Sequence, residues 1–251
     1  MFTPQRKNPA RRSGRERRFS ARREAAIGLS VYALYLLVRR AVVNEEGRRK
    51  AARNAERIVA LEERLGLHVE PALQRLLLPR RRLIAILNVA YVVLNVGLTV
   101  GWLIRLFRRR DPEFHRLRRA AVLATLGAQP AFLFFPTAPP RTLDHLVDTI
   151  VEVSGIDLES GLIGKLYDPI AAMPSIHVAY AVVTAAGIAE TSQSRVVRRL
   201  APGYPPLVAL VVFATANHYI LDGVAGGALG LAALRLARLP RVHASTPSRL
   251  L

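Results

Sequence analysis

The sequence predicts an all-α, polytopic membrane protein: a bundle of six apolar helices with an interfacial amphipathic helical segment. Two observations carry that prediction. Hydrophobic residues make up 51% of the 251 positions, yet the formal net charge is +19; the mean hydropathy is +0.21. The charge also lies in short blocks between apolar runs, the pattern of membrane spans joined by basic loops. A nucleic-acid-binding domain would gather its charge on one soluble face, so nucleic acid is set aside as a partner and the anionic bilayer surface preferred. Of the 37 basic residues only Lys7, Lys50 and Lys165 are lysine, an arginine preference that suits a GC-rich coding genome. Cysteine is absent, which removes disulfides, thiolate metal sites and cysteine nucleophiles.

Residues 1–24 hold nine basic and two acidic residues and read as a disordered cytoplasmic tail. Arg17–Ser20 resembles part of a twin-arginine signal, but no small-residue cleavage site follows, so a retained first span is expected over Ala25–Val43. Arg39 and Arg40 sit near its end, where long stems let the charge reach the interface. The membrane domain is expected over 25–238, and 239–251 form a second cytoplasmic tail.

Within 44–82, charges of both signs alternate with Ile58, Leu61, Leu65, Leu73, Leu76 and Leu77. That periodicity predicts interfacial helices broken at Gly66 and Pro71. The second span is expected over Leu83–Leu106, with Trp102 as an interfacial anchor, and the third over Ala120–Phe135, stopped by the prolines of FPTAPPR. The stretch 142–173 is too polar to span; a short helix is expected over Leu143–Val153. Span four opens at MPSIH and runs to about Ala189, span five covers Pro205–Ala216, and span six covers Tyr219–Leu236.

Six spans place both termini on one side. That side collects 23 basic residues and the other 12, so both termini are expected in the cytoplasm of a multi-pass cell-membrane protein. FPTAPPR, MPSIH and NHYILD then meet at the outer face.

His218 and Asp222, four apart, would share a helix face. Ionisable groups in a span-length apolar segment are costly, and they mark a functional site unless they merely tie helices together. Asp222 can hold one ring nitrogen of His218 and leave the other as nucleophile or base. Ser175 reads as the N-cap of span four; the amides after it, Ile176 first, form an anion site at the helix's positive end. His177 lies on that first turn and could protonate a leaving oxygen, or serve only as an interfacial histidine. Arg141 could hold phosphate oxygens, or be an interfacial arginine after a proline turn. A zinc site on His177, His218 and Asp222 is the chemical rival. Gly223, Gly226, Gly227 and Gly230 form overlapping G-x-x-x-G pairs, which close helix packing explains.

The chain resembles the type 2 phosphatidic acid phosphatase superfamily, within it the branch containing inositol phosphorylceramide synthase. The likeness rests on ERLGLHVEPALQRLLL (63–78), FPTAPPR (135–141), AAMPSIHVAYA (171–181) and NHYILDGVAGG (217–227). It implies a phosphohistidine on His218, orientation by Asp222, His177 as acid, and phosphate binding by Ser175, Ile176, Arg141 and Asn217. It implies neither metal nor cofactor, and a membrane lipid as substrate. The chain departs from the typical phosphatases in two ways. PTAPPR replaces a first motif with Lys and Arg, and Val211 and Val212 stand where a Ser-Arg pair precedes the nucleophile. The departures suit the synthase-like branch and leave either water or an alcohol as acceptor. A non-catalytic lipid-handling protein is the reading from another class. The particular lipid and the oligomeric state are not encoded in these motifs.

Overall fold

In the computed structural model, residues 19–91, 95–144, 146–157, 160–161 and 167–239 are described, the side chain of Asn95 excepted. Most of the expected N-terminal tail and all of the C-terminal one beyond Leu239 lie outside them. The described residues form eleven α-helices: α1 (Ala21–Val42), α2 (Glu45–Leu65), α3 (Glu70–Leu77), α4 (Arg81–Val89), α5 (Asn95–Arg108), α6 (Phe114–Phe134), α7 (Thr149–Ser154), α8 (Ile176–Thr191), α9 (Arg195–Leu200), α10 (Tyr204–Ala214) and α11 (Ile220–Arg238). No β-strand occurs among them; one isolated parallel bridge joins Thr137 and Ala171.

Among the described residues, three helices are long and apolar enough to cross a membrane: Ala21–Val42, the run Arg195–Ala214 made of α9, one short 3₁₀ turn and α10, and Ile220–Arg238. The apolar helix Ile176–Thr191 is shorter, about 24 Å at 1.5 Å per residue. The expected second span appears as α4 and α5, flanking 92–94, which lie outside the described residues.

The expected boundaries shift for local reasons. Helix α1 starts at Ala21 because the Ser20 hydroxyl accepts the Arg23 amide. Phe19 then packs on Phe107 and Phe114. Arg118 pairs with Glu24 at 3.2 Å. Thus the last residues of the expected tail belong to the folded bundle. Gly66, at φ 67°, ends α2 in the left-handed conformation that a residue without Cβ adopts at little cost. Pro71 does not break a helix; it sits in the first turn of α3, where its missing N–H costs nothing. The helix expected over Leu143–Val153 is shorter, Thr149–Ser154, because Asp148 caps it through the amides of Ile150 and Val151.

The glycines of α11 set how close the bundle packs. A Cβ on Gly226 would stand 2.2 Å from the Ser175 carbonyl oxygen, and one on Gly230 would stand 2.7 Å from that of Ala179. Backbone therefore meets backbone, and the start of α8 is pressed onto the start of α11. One hydrogen bond fixes the register: the Ser175 amide donates to the Asp222 carbonyl at 3.0 Å. Gly226→Ala is expected to lower stability by about 1–3 kcal/mol, the usual cost of overpacking, and to separate the two helix starts. Thermal unfolding alongside turnover checks this, and an alanine variant with unchanged values of both would contradict the packing argument.

Three loops are laced together at the same end. Thr137 bonds the 170–172 loop twice: its amide donates to Ile170 O and its carbonyl accepts the Ala172 amide. The Arg141 amide donates to Ala216 O at 2.8 Å. Helix α2 lies beneath them, burying Ala51, Asn54, Ala55, Ile58 and Glu62, a stripe at helical spacing. From that stripe Asn54 donates to Pro136 O at 2.8 Å and Ala51 O accepts the Ala138 amide.

Candidate active site

His218 lies in the connection between α10 and α11, and not on a helix as its spacing from Asp222 suggests. Tyr219 is the N-cap of α11 and Asp222 its third residue. The four-residue relation survives across the helix start: His218 Nδ1 stands 3.3 Å from Asp222 Oδ2, which also accepts the Tyr219 amide at 3.0 Å. Asp222 is fully buried and His218 nearly so. A carboxylate on Nδ1 fixes the tautomer with the proton there and leaves Nε2 as a lone-pair site.

That Nε2 faces His177. The separation from His177 Nδ1 is 3.2 Å, with the rings edge to face at 5.3 Å between centroids. With Nδ1 of His218 protonated toward Asp222, hydrogen-bond logic puts the shared proton on His177 Nδ1. The result is one ordered chain, Asp222–His218–His177. Ser175 caps α8 by accepting the Val178 amide. Ile176 and His177 follow in the first helical turn, whose amides have no acceptor within their own helix. The structure thus brings together His177, His218, Asp222, Ser175 and Ile176.

Arg141 is also there, buried to 2% exposure of its side chain. Its Nε donates to Asp148 Oδ2 at 3.0 Å, one terminal nitrogen to Asn217 Oδ1 at 2.7 Å, and the other to the Tyr167 hydroxyl at 3.2 Å. Through Asn217 the guanidinium is tied to the residue next to His218. Asn217 lines the cavity beside His218; its Oδ1 accepts from Arg141 and its Nδ2 donates to Thr215 O and Oγ1. It holds the arginine in position. The preceding Ala216 has φ 51°, a left-handed conformation unusual for a residue with a Cβ. That strain turns its carbonyl to the Arg141 amide.

Three residues were not singled out from sequence. Tyr91 packs against His177, the rings tilted by 32° with centroids 4.6 Å apart. Tyr167 and Asp148 orient Arg141. Only Asp148 carried a local signal, as an acidic residue just before a short apolar helix. Val211 and Val212, in place of a cation-bearing pair, are buried in the core with Val178 and Ala181.

A cavity of about 930 Å³ opens from this constellation. His177 and His218 line it together with Ile27, Val31, Val100, Ile104 and Phe107. Its wall follows α1 from Ala21 to Tyr35, about 21 Å of helix at 1.5 Å per residue. Most of the lining is apolar; its polar residues include His177, His218, Asn217 and Asp168, together with the Glu24–Arg118 pair.

A family model described as the PAP2 superfamily matches residues 56–236, which include every residue of this constellation. No curated protein and no solved structure matches the chain.

Proposed function

The chain belongs to the PAP2 superfamily, and from that premise we propose that it is a lipid phosphatase or phosphotransferase working through a phosphohistidine at the outer membrane face. Superfamily membership supports phosphoester chemistry. The observation that carries the mechanism is the 3.2 Å pairing of His177 Nδ1 with His218 Nε2, with Asp222 on the opposite ring nitrogen.

A phosphoester entering between the histidines meets His218 Nε2 on one side. The lone pair attacks phosphorus, the ester P–O bond breaks, and His177, protonated on both ring nitrogens when it meets the anionic substrate, passes one of those protons to the departing alkoxide. Asp222 stabilises the positive charge that grows on His218. Water or an alcohol then gives a proton back to His177 and attacks phosphorus. The N–P bond breaks, and phosphate or a new phosphoester leaves. Arg141 and the first amides of α8 hold the non-bridging oxygens, where charge accumulates. The apolar cavity suits a substrate with a long hydrocarbon tail, a phospholipid or polyprenyl phosphate. Six spans with cytoplasmic termini would put this site at the outer face of the plasma membrane.

Transfer to an alcohol is the second reading, favoured by the valines at 211 and 212. With Arg141 the cation on the phosphate, the site differs from one that also carries Lys and a Ser-Arg pair. Purified protein in detergent, given a panel of lipid phosphates with and without an alcohol such as inositol, separates the two. Phosphate release without acceptor marks a phosphatase; product formed only with acceptor marks a transferase. Neither product would favour a lipid-handling protein and sink the proposal.

Arg141→Lys is expected to cut turnover by about 10²–10³-fold, the scale of losing a transition-state donor. Lysine cannot form the planar fork that reaches Asp148, Asn217 and Tyr167 together. Steady-state kinetics check this: the loss falls mainly on kcat, and a variant changed only in KM would reassign the arginine to ground-state binding.

A further inference from the structure

Glu62 and Glu70 are both 0% exposed, an arrangement that costs several kcal/mol per ion unless the charge is matched. They come from α2 and α3, yet each uses one oxygen on the first turn of α11. Glu62 Oε1 accepts the Leu221 amide at 2.7 Å, and Glu70 Oε1 accepts the Ile220 amide at 3.0 Å. Those bonds account for half of each carboxylate. Glu62 Oε2 and Glu70 Oε2 are buried without a hydrogen bond among the described residues.

His68, between the two helices, supplies a nitrogen to the same point. Its Nδ1 stands 3.4 Å from Glu70 Oε2, and one ligand atom from each of Glu62, His68 and Glu70 lies within 4.8 Å of the others. A hydrogen bond between nitrogen and oxygen is normally 2.7–3.2 Å. Two donors on one tetrahedral zinc, each about 2.0–2.1 Å from it, stand about 3.4 Å apart. The His68 side chain is 14% exposed, which leaves an opening for an ion.

We propose that Glu62, His68 and Glu70 bind a divalent cation of the zinc class, which clasps the α2–α3 hairpin to the start of α11. Two carboxylates and one imidazole suit such an ion. The site is separate from the phosphoester chemistry: its ligands are none of His177, His218 or Asp222. It is structural, holding the carboxylates that cap the helix on which Asp222 sits.

The test uses the full chain in detergent, stripped with a chelator and titrated with Zn²⁺ against a chromophoric zinc indicator, with bound metal measured by mass spectrometry. Wild type and His218→Ala are expected to bind one equivalent and to gain thermal stability on loading. His68→Ala and Glu62→Gln are expected to lose more than the about 10- to 100-fold in affinity that outer-shell changes cost. Glutamine keeps an oxygen for the Leu221 amide, and the His68 change leaves both carboxylates on the α11 amides, so one of the pair reports even if the other misfolds. No stoichiometric zinc in wild type would overturn the proposal, leaving a shared proton between the carboxylates. Zinc lost in His218→Ala but kept in His68→Ala would overturn it too, placing the metal on the histidine pair.

Discussion

Replacing His218 with alanine is expected to lower product formation by roughly 10⁴- to 10⁶-fold, the scale of removing a covalent nucleophile. The side chain is nearly buried, so its removal leaves a small void next to Ala172 and Asp222, and the protein remains folded. His177 presents its proton-bearing Nδ1 toward His218 and rests against Tyr91, so it is placed as the acid and not as the nucleophile. Residual turnover of the variant measures what Arg141 and the α8 amides do alone. Equal product from wild type and variant, at matched unfolding temperature, would remove His218 from the chemistry.

Asp222→Asn is expected to cost up to about 10⁴-fold, the size of the corresponding change in a Ser-His-Asp triad, while leaving the protein folded. The asparagine oxygen can still accept the Tyr219 amide, so the cap of α11 survives. Because that one oxygen site also faces His218 Nδ1, the ring stays in place, and what is lost is the negative charge that stabilises the imidazolium as the N–P bond forms. The loss should therefore fall on kcat with little change in unfolding temperature. A large drop in stability with normal kcat in the folded fraction would make Asp222 a structural residue only.

How far the sequence reveals this site depends on which residues act locally. The cap at Ser175, the stop at FPTAPPR and the His218–Asp222 spacing are each short-range signals, and the structure joins them. Spacing alone misplaced His218: i and i+4 implied a helix, whereas the pair straddles a helix start where Asp222 also caps Tyr219. Tyr91, Tyr167 and Asp148 reach His177 and Arg141 through tertiary contacts, and no periodicity encodes those. Glu62 was within reach, since it falls on the buried stripe 51, 54, 55, 58 and 62 of an amphipathic helix. A charge on an apolar face needs a partner, and its partner lies at Leu221, far along the chain.

The span count shows the same division. Composition predicted apolar helices, and three of the described ones have the length and hydropathy to cross a membrane. The others are shortened or flanked by charge. Helix α6 begins in FHRLRR and α5 ends in RLFR, so in both the apolar stretch is only part of the helix.

The central claim is that His218 Nε2 becomes covalently phosphorylated. The most direct measurement is to mix wild type with a lipid phosphate labelled at phosphorus, quench within the first turnover, and locate the label by mass spectrometry. The account predicts an acid-labile, alkali-stable phosphohistidine at His218, absent from His218→Ala and strongly reduced in His177→Ala, which cannot protonate the leaving group. Turnover with no labelled protein, or label on any residue other than His218, would contradict it.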